Sequence, residues 1–197
     1  MSIQGDTLNH TYPLLANESD LAARAAIEPS AFAALYDHYF SKVYNYVRYR
    51  VQDADITDEI TSQIFERVLT NIGSYRPQRA PFGAWLFAIA RNAVQDHHRS
   101  LNRRRWLSLD RIVTHPSPDS PLEEVVEIMD ANTRLLAAIR QLPPREQDLI
   151  ALKFASGLEN REIAQVAGLS ESNVGVILYR ALRQLRKLLS DKESSHE

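Results

Sequence analysis

Two stretches of this chain carry cations at spacings that a helix would align. "RNAVQDHHRSLNRRR", from Arg91 to Arg105, holds five arginines and one acid, Asp96. At about 100° per residue, Arg91, Gln95, His98 and Asn102 share one stripe, with Asn92 and Arg99 at its edges. Guanidinium groups pair with phosphate oxygens, and flat polar groups stack or hydrogen-bond on unstacked bases. The preceding turn, with Tyr75, Arg76, Gln78 and Arg79, is placed to wall a base pocket. The second stretch is "LSESNVGVILYRALRQLRKLL". There Ser172, Val176, Arg180, Arg183 and Lys187 fall opposite an apolar face of Val174, Ile177, Leu178, Ala181, Leu185 and Leu188. A short helix, a turn at Gly168 and an N-cap at Ser170 precede it. This is the grammar of a helix-turn-helix, in which the start of the second helix meets base edges and later cations meet phosphates. At both places the plainer alternative is a core helix with a solvated basic face.

Other chemistry is poorly supported. The chain has no cysteine, which removes disulfides and thiolate zinc sites and suits an intracellular protein. His97 and His98 are neighbours that point about 100° apart, and no ligands follow at metal spacing, so no metal site is expected. We find no phosphate-cradling glycine loop, no thiol nucleophile and no convergent acid–base set, so no catalytic residue is assigned and no cofactor is expected. A third polar face stands apart from the cations. On "DEITSQIFERVLTNI", Ile60, Ile64, Val68 and Ile72 form a buried stripe. Glu59, Gln63, Glu66 and Thr70 face outward, with Ser62 and Arg67 beside them. It is polar, flat and suited to docking a partner helix.

The elements that must hold these faces are all helical by periodicity. "PSAFAALYDHYFSKVYNYVRYRV" repeats apolar residues at steps of three and four. A second helix is expected over about 56–72 and a third from Phe82 past Arg99. After a proline-punctuated stretch, helices are expected over about 122–141, 144–155, 160–167 and 170–189. No strand run is evident. The expected architecture is all-α: a flexible arm (1–29), a helical domain (30–105), an acidic linker (106–132), a C-terminal helix-turn-helix domain (133–190) and a disordered tail (191–197). From Asp110 to Asp130 the linker holds six acids against Arg111 alone. The net charge of −2 over 197 residues therefore conceals a strong asymmetry, basic domains around an acidic tie. No stretch approaches the roughly twenty apolar residues of a membrane span, and the first thirty residues lack the basic head and apolar block of a secretory signal.

Taken together, these segments resemble a bacterial RNA polymerase sigma factor of the extracytoplasmic-function (ECF) type, over about Phe32 to Leu189. "FGAWLFAIARNAVQDHHR" follows the pattern Phe-x-x-Trp-Leu-x-x-Ile-Ala-Arg-Asn-x-x-x-Asp-x-x-Arg of the family's second conserved region. "DEITSQIF" stands where that region has an acidic pair followed by Leu-Thr-Gln-Glu-Val-Phe. "LPPREQDLIALKFASGLENREIAQVAGLSESNVGVILYRALRQLR" resembles the fourth conserved region, with its Leu-Pro opening, Glu-Ile-Ala helix and Tyr-Arg-Ala ending. Departures are local: Glu59 stands for the usual aspartate, Ser62 and Gln63 for Gln-Glu, and Gly175 to Ile177 for a more polar run.

The resemblance implies roles. Asp58, Glu59, Ser62, Gln63, Glu66 and Arg67 would dock on the clamp of core RNA polymerase. Tyr75, Arg76, Gln78, Arg79, Arg91, Asn92, Gln95, His98 and Arg99 would hold the melted minus-ten strand of promoter DNA. Ser172, Asn173, Val176, Arg180, Arg183 and Lys187 would read the minus-thirty-five duplex. The acidic linker would thread the polymerase's basic RNA channel. An anti-sigma factor is an implied partner, the implied location is the cytoplasm, with a membrane-held anti-sigma factor as one possible tether, and no small-molecule substrate or membrane insertion is expected. Two rivals are a sigma mimic that binds an anti-sigma protein and never touches DNA, and a conventional dimeric helix-turn-helix regulator.

Overall fold

A computed structural model of the chain describes residues 17–107 and 133–193. Of the expected arm (1–29), acidic linker (106–132) and tail (191–197), residues 1–16, 108–132 and 194–197 lie outside the described residues; within them, Glu18–Arg24 form a helix, one helix continues to Leu107 and another to Glu193. Within them the chain is helical, with no strand. The helices are α1 (Glu18–Arg24), α2 (Pro29–Val51), α3 (Ala54–Asn71), α4 (Phe82–Leu107), a stretch at 133–139 taken as α5, α6 (Pro144–Phe154), α7 (Asn160–Ala167) and α8 (Glu171–Glu193), with one 3-10 turn at Ile72–Ser74.

Local signals fix the ends. Pro29 opens α2, where a missing N–H costs nothing. Asp53 caps α3 by accepting from the Ile56 amide at 3.0 Å. Glu159 and Glu162 form a reciprocal capping box on α7. Gly168 ends α7 at φ 67°, in the left-handed region where a side chain would be strained. The Ser170 hydroxyl accepts from the Asn173 amide at 3.3 Å and starts α8.

The first domain packs α2, α3 and α4 around Leu35, Val43, Tyr46, Ile64, Leu86 and Phe87. Helix α1 lies across α2 and α4, and the Glu18 carboxylate accepts a short hydrogen bond from the Tyr39 hydroxyl. That hydroxyl sits over Gly83, where a Cβ would come within 3.0 Å of it. The second domain packs α6, α7 and α8 around Leu149, Leu152, Ile163, Val174 and Ala181. The two domains touch: α2 packs on α6, and α4 on α7.

Candidate nucleic-acid interface

Helix α8 presents the predicted reading face without obstruction. Val174, Leu178, Ala181 and Leu185 are buried, whereas Ser172, Asn173, Val176, Arg180, Arg183 and Lys187 are all exposed. The dry stripe follows from three- and four-residue spacing, and tying it to α6 and α7 aims the opposite stripe outward. Gly175 lies near α7: a Cβ there would stand 4.0 Å from the Asn160 amide nitrogen, so it leaves room without being required by the turn.

Helix α3 presents the polar face in the same open way. Asp58, Glu59, Ser62, Glu66 and Arg67 are exposed, and half-buried Gln63 donates to Glu59 at 3.0 Å. Arg67 sits at the edge of this face and reaches toward α4, 3.8 Å from Asp96. Asp96 also lies 3.4 Å from Arg99. Both pairs are solvent-exposed and contribute little to stability, so they orient the arginines without committing them.

Arg67 also lines an open cleft of about 300 Å³ with Asn71, Ser74, Trp85, Ile89 and Asn92. The half-buried Trp85 offers a ring face, and Asn71 and Asn92 line the cleft with side-chain amides, the Asn71 Nδ2 already donating to the Arg67 carbonyl at 2.7 Å. These are the groups that hold an unstacked base. The turn expected to wall such a pocket is placed differently. Tyr75 is buried, ring-packed on Phe82 and Trp85, and donates its hydroxyl to the Ala80 carbonyl at 3.1 Å. Arg76 folds back on the Gly73 and Tyr75 carbonyls at 2.9 and 2.8 Å. Gln78 and Arg79 remain exposed. Tyr75 thus supports the pocket from below through Trp85, and its place at the surface is taken by Trp85 itself.

The predicted stripe of α4 divides. Asn92 and Arg99 are exposed, and Gln95 lies between Arg91 and Arg99. Arg91 and His98, expected outward, are partly enclosed because α4 is packed from two sides, by α3 on one and by α2 and α7 on the other. Arg91 donates from Nε to Asp148 Oδ2 on α6 at 2.6 Å and reaches the Val166 carbonyl of α7 at 3.5 Å. The Tyr46 hydroxyl donates to Asp148 Oδ1 at 2.8 Å. Arg50 lies 3.6 Å from the same carboxylate and donates to the Gln147 side chain at 3.0 Å. Tyr46 is 0% exposed, Asp148 5% and Arg50 9%. One carboxylate therefore faces two guanidinium groups in a largely dry cluster, which leaves that cluster with an excess of positive charge.

Sequence reasoning missed Tyr46, Arg50 and Asp148. A signal was present: Asp148 occupies an apolar-stripe position one turn before Leu152 on α6, and Arg50 continues the Val43, Tyr46, Val47 stripe of α2. A charge on a buried stripe demands a partner, but nothing local says that the partner lies on the other domain.

The excess of positive charge acts on His98, whose buried Nε2 makes no hydrogen bond. Burial first, then Arg50 on α2 and His97 on α4, push it below the ordinary histidine value of 6.5, with Asp148 on α6 pulling the other way. The closed, folded chain thus binds fewer protons than the open or unfolded one. The stabilisation is complete above pH 6.5 and is lost as pH falls through the depressed value. His38 adds in the same direction, lowered by burial and by Lys42. We expect the urea midpoint to fall between pH 7.5 and 5.5, before most carboxylates titrate, and the fall to shrink in His98→Gln. A midpoint that is flat over this range would contradict the placement of His98.

Comparison with known proteins bears on the same two segments. Sigma-70 region 2 matches residues 35–104, and Sigma-70 region 4 matches residues 132–185. The ECF RNA polymerase sigma factor BldN of Streptomyces coelicolor is 39% identical over 174 residues, which cover 87% of this chain and 66% of that protein. The ECF sigma factor RpoE of Cereibacter sphaeroides is 28% identical over 86% of this chain and 92% of its own. The chain thus spans just under two thirds of the length of the first relative and nearly all of the second. In fold it is similar to CnrH, solved with the cytosolic domain of CnrY (TM-score 0.68, 23% identity, covering 88% of this chain and 97% of that one). It is also similar to the sigma factor RpoE of Bartonella quintana, solved with the anti-sigma factor NepR (TM-score 0.65, 18% identity, covering 81% and 96%).

Proposed function

Since the chain belongs to the ECF-type RNA polymerase sigma factors, we propose that it binds core polymerase through the α3 face, reads a minus-thirty-five duplex with α8 and holds a melted minus-ten strand with α4. The observation that carries this is the separation of surfaces. One chain offers an exposed cation row on a helix-turn-helix, a second arginine row beside a cleft of base size, and an uncommitted polar face on α3. A conventional regulator needs only the first.

Each surface supplies one physical term. Arg180, Arg183 and Lys187 neutralise duplex phosphates, and Ser172, Asn173 and Val176 stand nearest the base edges. The cleft between α3 and α4 takes a base that has left the stack, with Trp85 as its platform. Arg67 belongs to this cleft as much as to the polymerase face. Arg91 and Arg99 hold the phosphates of the separated strand. Linking two weak readers raises the effective concentration of each for the other's half of the promoter. The family consists of initiation factors that are not enzymes; here too bond formation is left to polymerase. An anti-sigma protein is a further partner of this chain in our reading, as NepR is of its Bartonella neighbour. No helix among the described residues is long and apolar enough to cross a membrane, and we place the chain in the cytoplasm with polymerase and promoter.

The test is reconstitution with bacterial core polymerase and fragmented genomic DNA of the source organism. Discrete transcript starts preceded by a shared pair of motifs are the expected result. Core binding without starts would favour a mimic; duplex binding without core binding would favour a dimeric regulator. Arg183→Ala is expected to weaken promoter-complex formation by roughly tenfold, the value of one charge-assisted phosphate contact, while core binding is retained. Loss of core binding in that variant would show that the faces are misassigned.

A further inference from the structure

The carboxylate of Asp148 stands on Arg91 as a phosphate would. It meets the guanidinium Nε at 2.6 Å, inside a cluster closed by Tyr46 and Arg50. We propose that Asp148 is an internal latch: it clasps the two domains together and withholds Arg91 from single-stranded DNA until a phosphate displaces it. This rests on the reading of α4 as the minus-ten surface and adds a control to it.

Three features support the latch. First, the two occupants compete for Arg91: the Asp148 carboxylate from the other domain holds Nε at 2.6 Å and the Val166 carbonyl faces a terminal nitrogen at 3.5 Å, so a phosphate that takes the whole fork must displace them. Second, the masking is selective. The α8 row, Asp58, Glu59, Ser62 and Glu66 on α3, Asn92 and Arg99 all stay exposed while Arg91 is drawn inward, so the closed chain can meet duplex and polymerase before it can hold a melted strand. Third, the clasp is finely balanced. Two guanidinium groups share one carboxylate in a largely dry cluster; the pair must offset its own desolvation, and an incoming anion relieves the surplus positive charge on opening.

The native chain has no cysteine, so two labels can be placed cleanly. Cysteines at the exposed positions Thr70 on α3 and Gln184 on α8 report the interdomain distance by pulsed spin-label spectroscopy on the full chain. A fluorescent oligothymidylate reports single-strand binding. The wild type is expected to show one short distance. Asp148→Ala is expected to lengthen it and to tighten oligothymidylate binding, within the 5–150-fold range usual for coupled sites, about tenfold or more. Tyr46→Phe removes only the hydroxyl on Asp148 and is expected to do the same to a smaller degree. It also serves as the test if Asp148→Ala loses helix content by circular dichroism. An unchanged distance in both variants overturns the latch. A longer distance with unchanged binding overturns the masking of Arg91. Neither readout involves polymerase, so a failure of the reconstitution would sink the sigma reading and leave these measurements standing.

Discussion

Arg91→Ala is expected to cut open-complex formation by roughly ten- to a hundredfold, the value of one charge-assisted phosphate contact made in a partly dry site, while core-polymerase binding is unchanged. The residue sits on α4 one turn before Gln95 and two turns before His98, and its guanidinium is already partly desolvated by α7 and by Asp148. A cation held this way makes stronger bonds to an anion than one in water. Permanganate reactivity of melted thymines would read the loss directly. The salt dependence of oligothymidylate binding gives a second readout, because removing one phosphate contact lowers the slope by about 0.7 on a single strand. The substitution also removes one of the two cations on Asp148 and leaves Arg50 and Tyr46 in place, so the domains should part more readily while binding weakens. Opening and tighter binding travel together in Asp148→Ala and in opposite directions here. If Arg91→Ala left both melting and slope untouched, α4 would not grip the strand through this residue. Lysine would not restore the wild type, since it lacks the planar fork that reaches two acceptors at once.

Phe87→Ala is expected to cost about 3–5 kcal/mol of first-domain stability, the range for truncating a fully buried aromatic. Phe87 is 0% exposed, and its ring stands edge-on to Tyr46 at 5.7 Å and 82°. A loss of that size is a large part of the total for a small domain, and should lower its melting temperature by more than about 10 °C. Calorimetry is the measurement, and Phe87→Leu, which keeps most of the volume, should lose far less. The effect should not stop at the core. Tyr46 carries the hydroxyl that holds Asp148, so a cavity beneath its ring loosens the clasp above it. A drop of only a few degrees would mean that α2 and α4 close over the space.

What could be read without coordinates was whatever has a local physical cause. The helix over 160–167 was legible in full, because its capping box, apolar spacing and terminal glycine all lie within ten residues of one another. The exposed row of α8 was legible for the same reason: a dry stripe at three- and four-residue steps dictates what lies opposite. The two-domain, all-helical plan and the sigma resemblance also follow from segments read one at a time.

Tertiary structure decided matters wherever one helix has two neighbours. A periodicity has one apolar face, but α4 is packed from two sides, so Arg91 and His98 are enclosed although their stripe is polar. Tyr75 was expected to wall a pocket because it lies in the turn that precedes the α4 stripe; its burial depends on Phe82 and Trp85 packing against its ring. The cleft of Arg67, Asn71, Trp85 and Asn92 joins residues from two helices, and no spacing within one helix announces it. Asp148 shows the limit most clearly. The sequence by itself determined that a carboxylate on the buried stripe of α6 needs a cation, because an unpaired buried charge is too costly to keep. Which cation answers it, an arginine some fifty-seven residues away on helix α4 of the other domain, was settled only when the two domains came into contact, since complementarity between distant surfaces leaves no trace in local spacing.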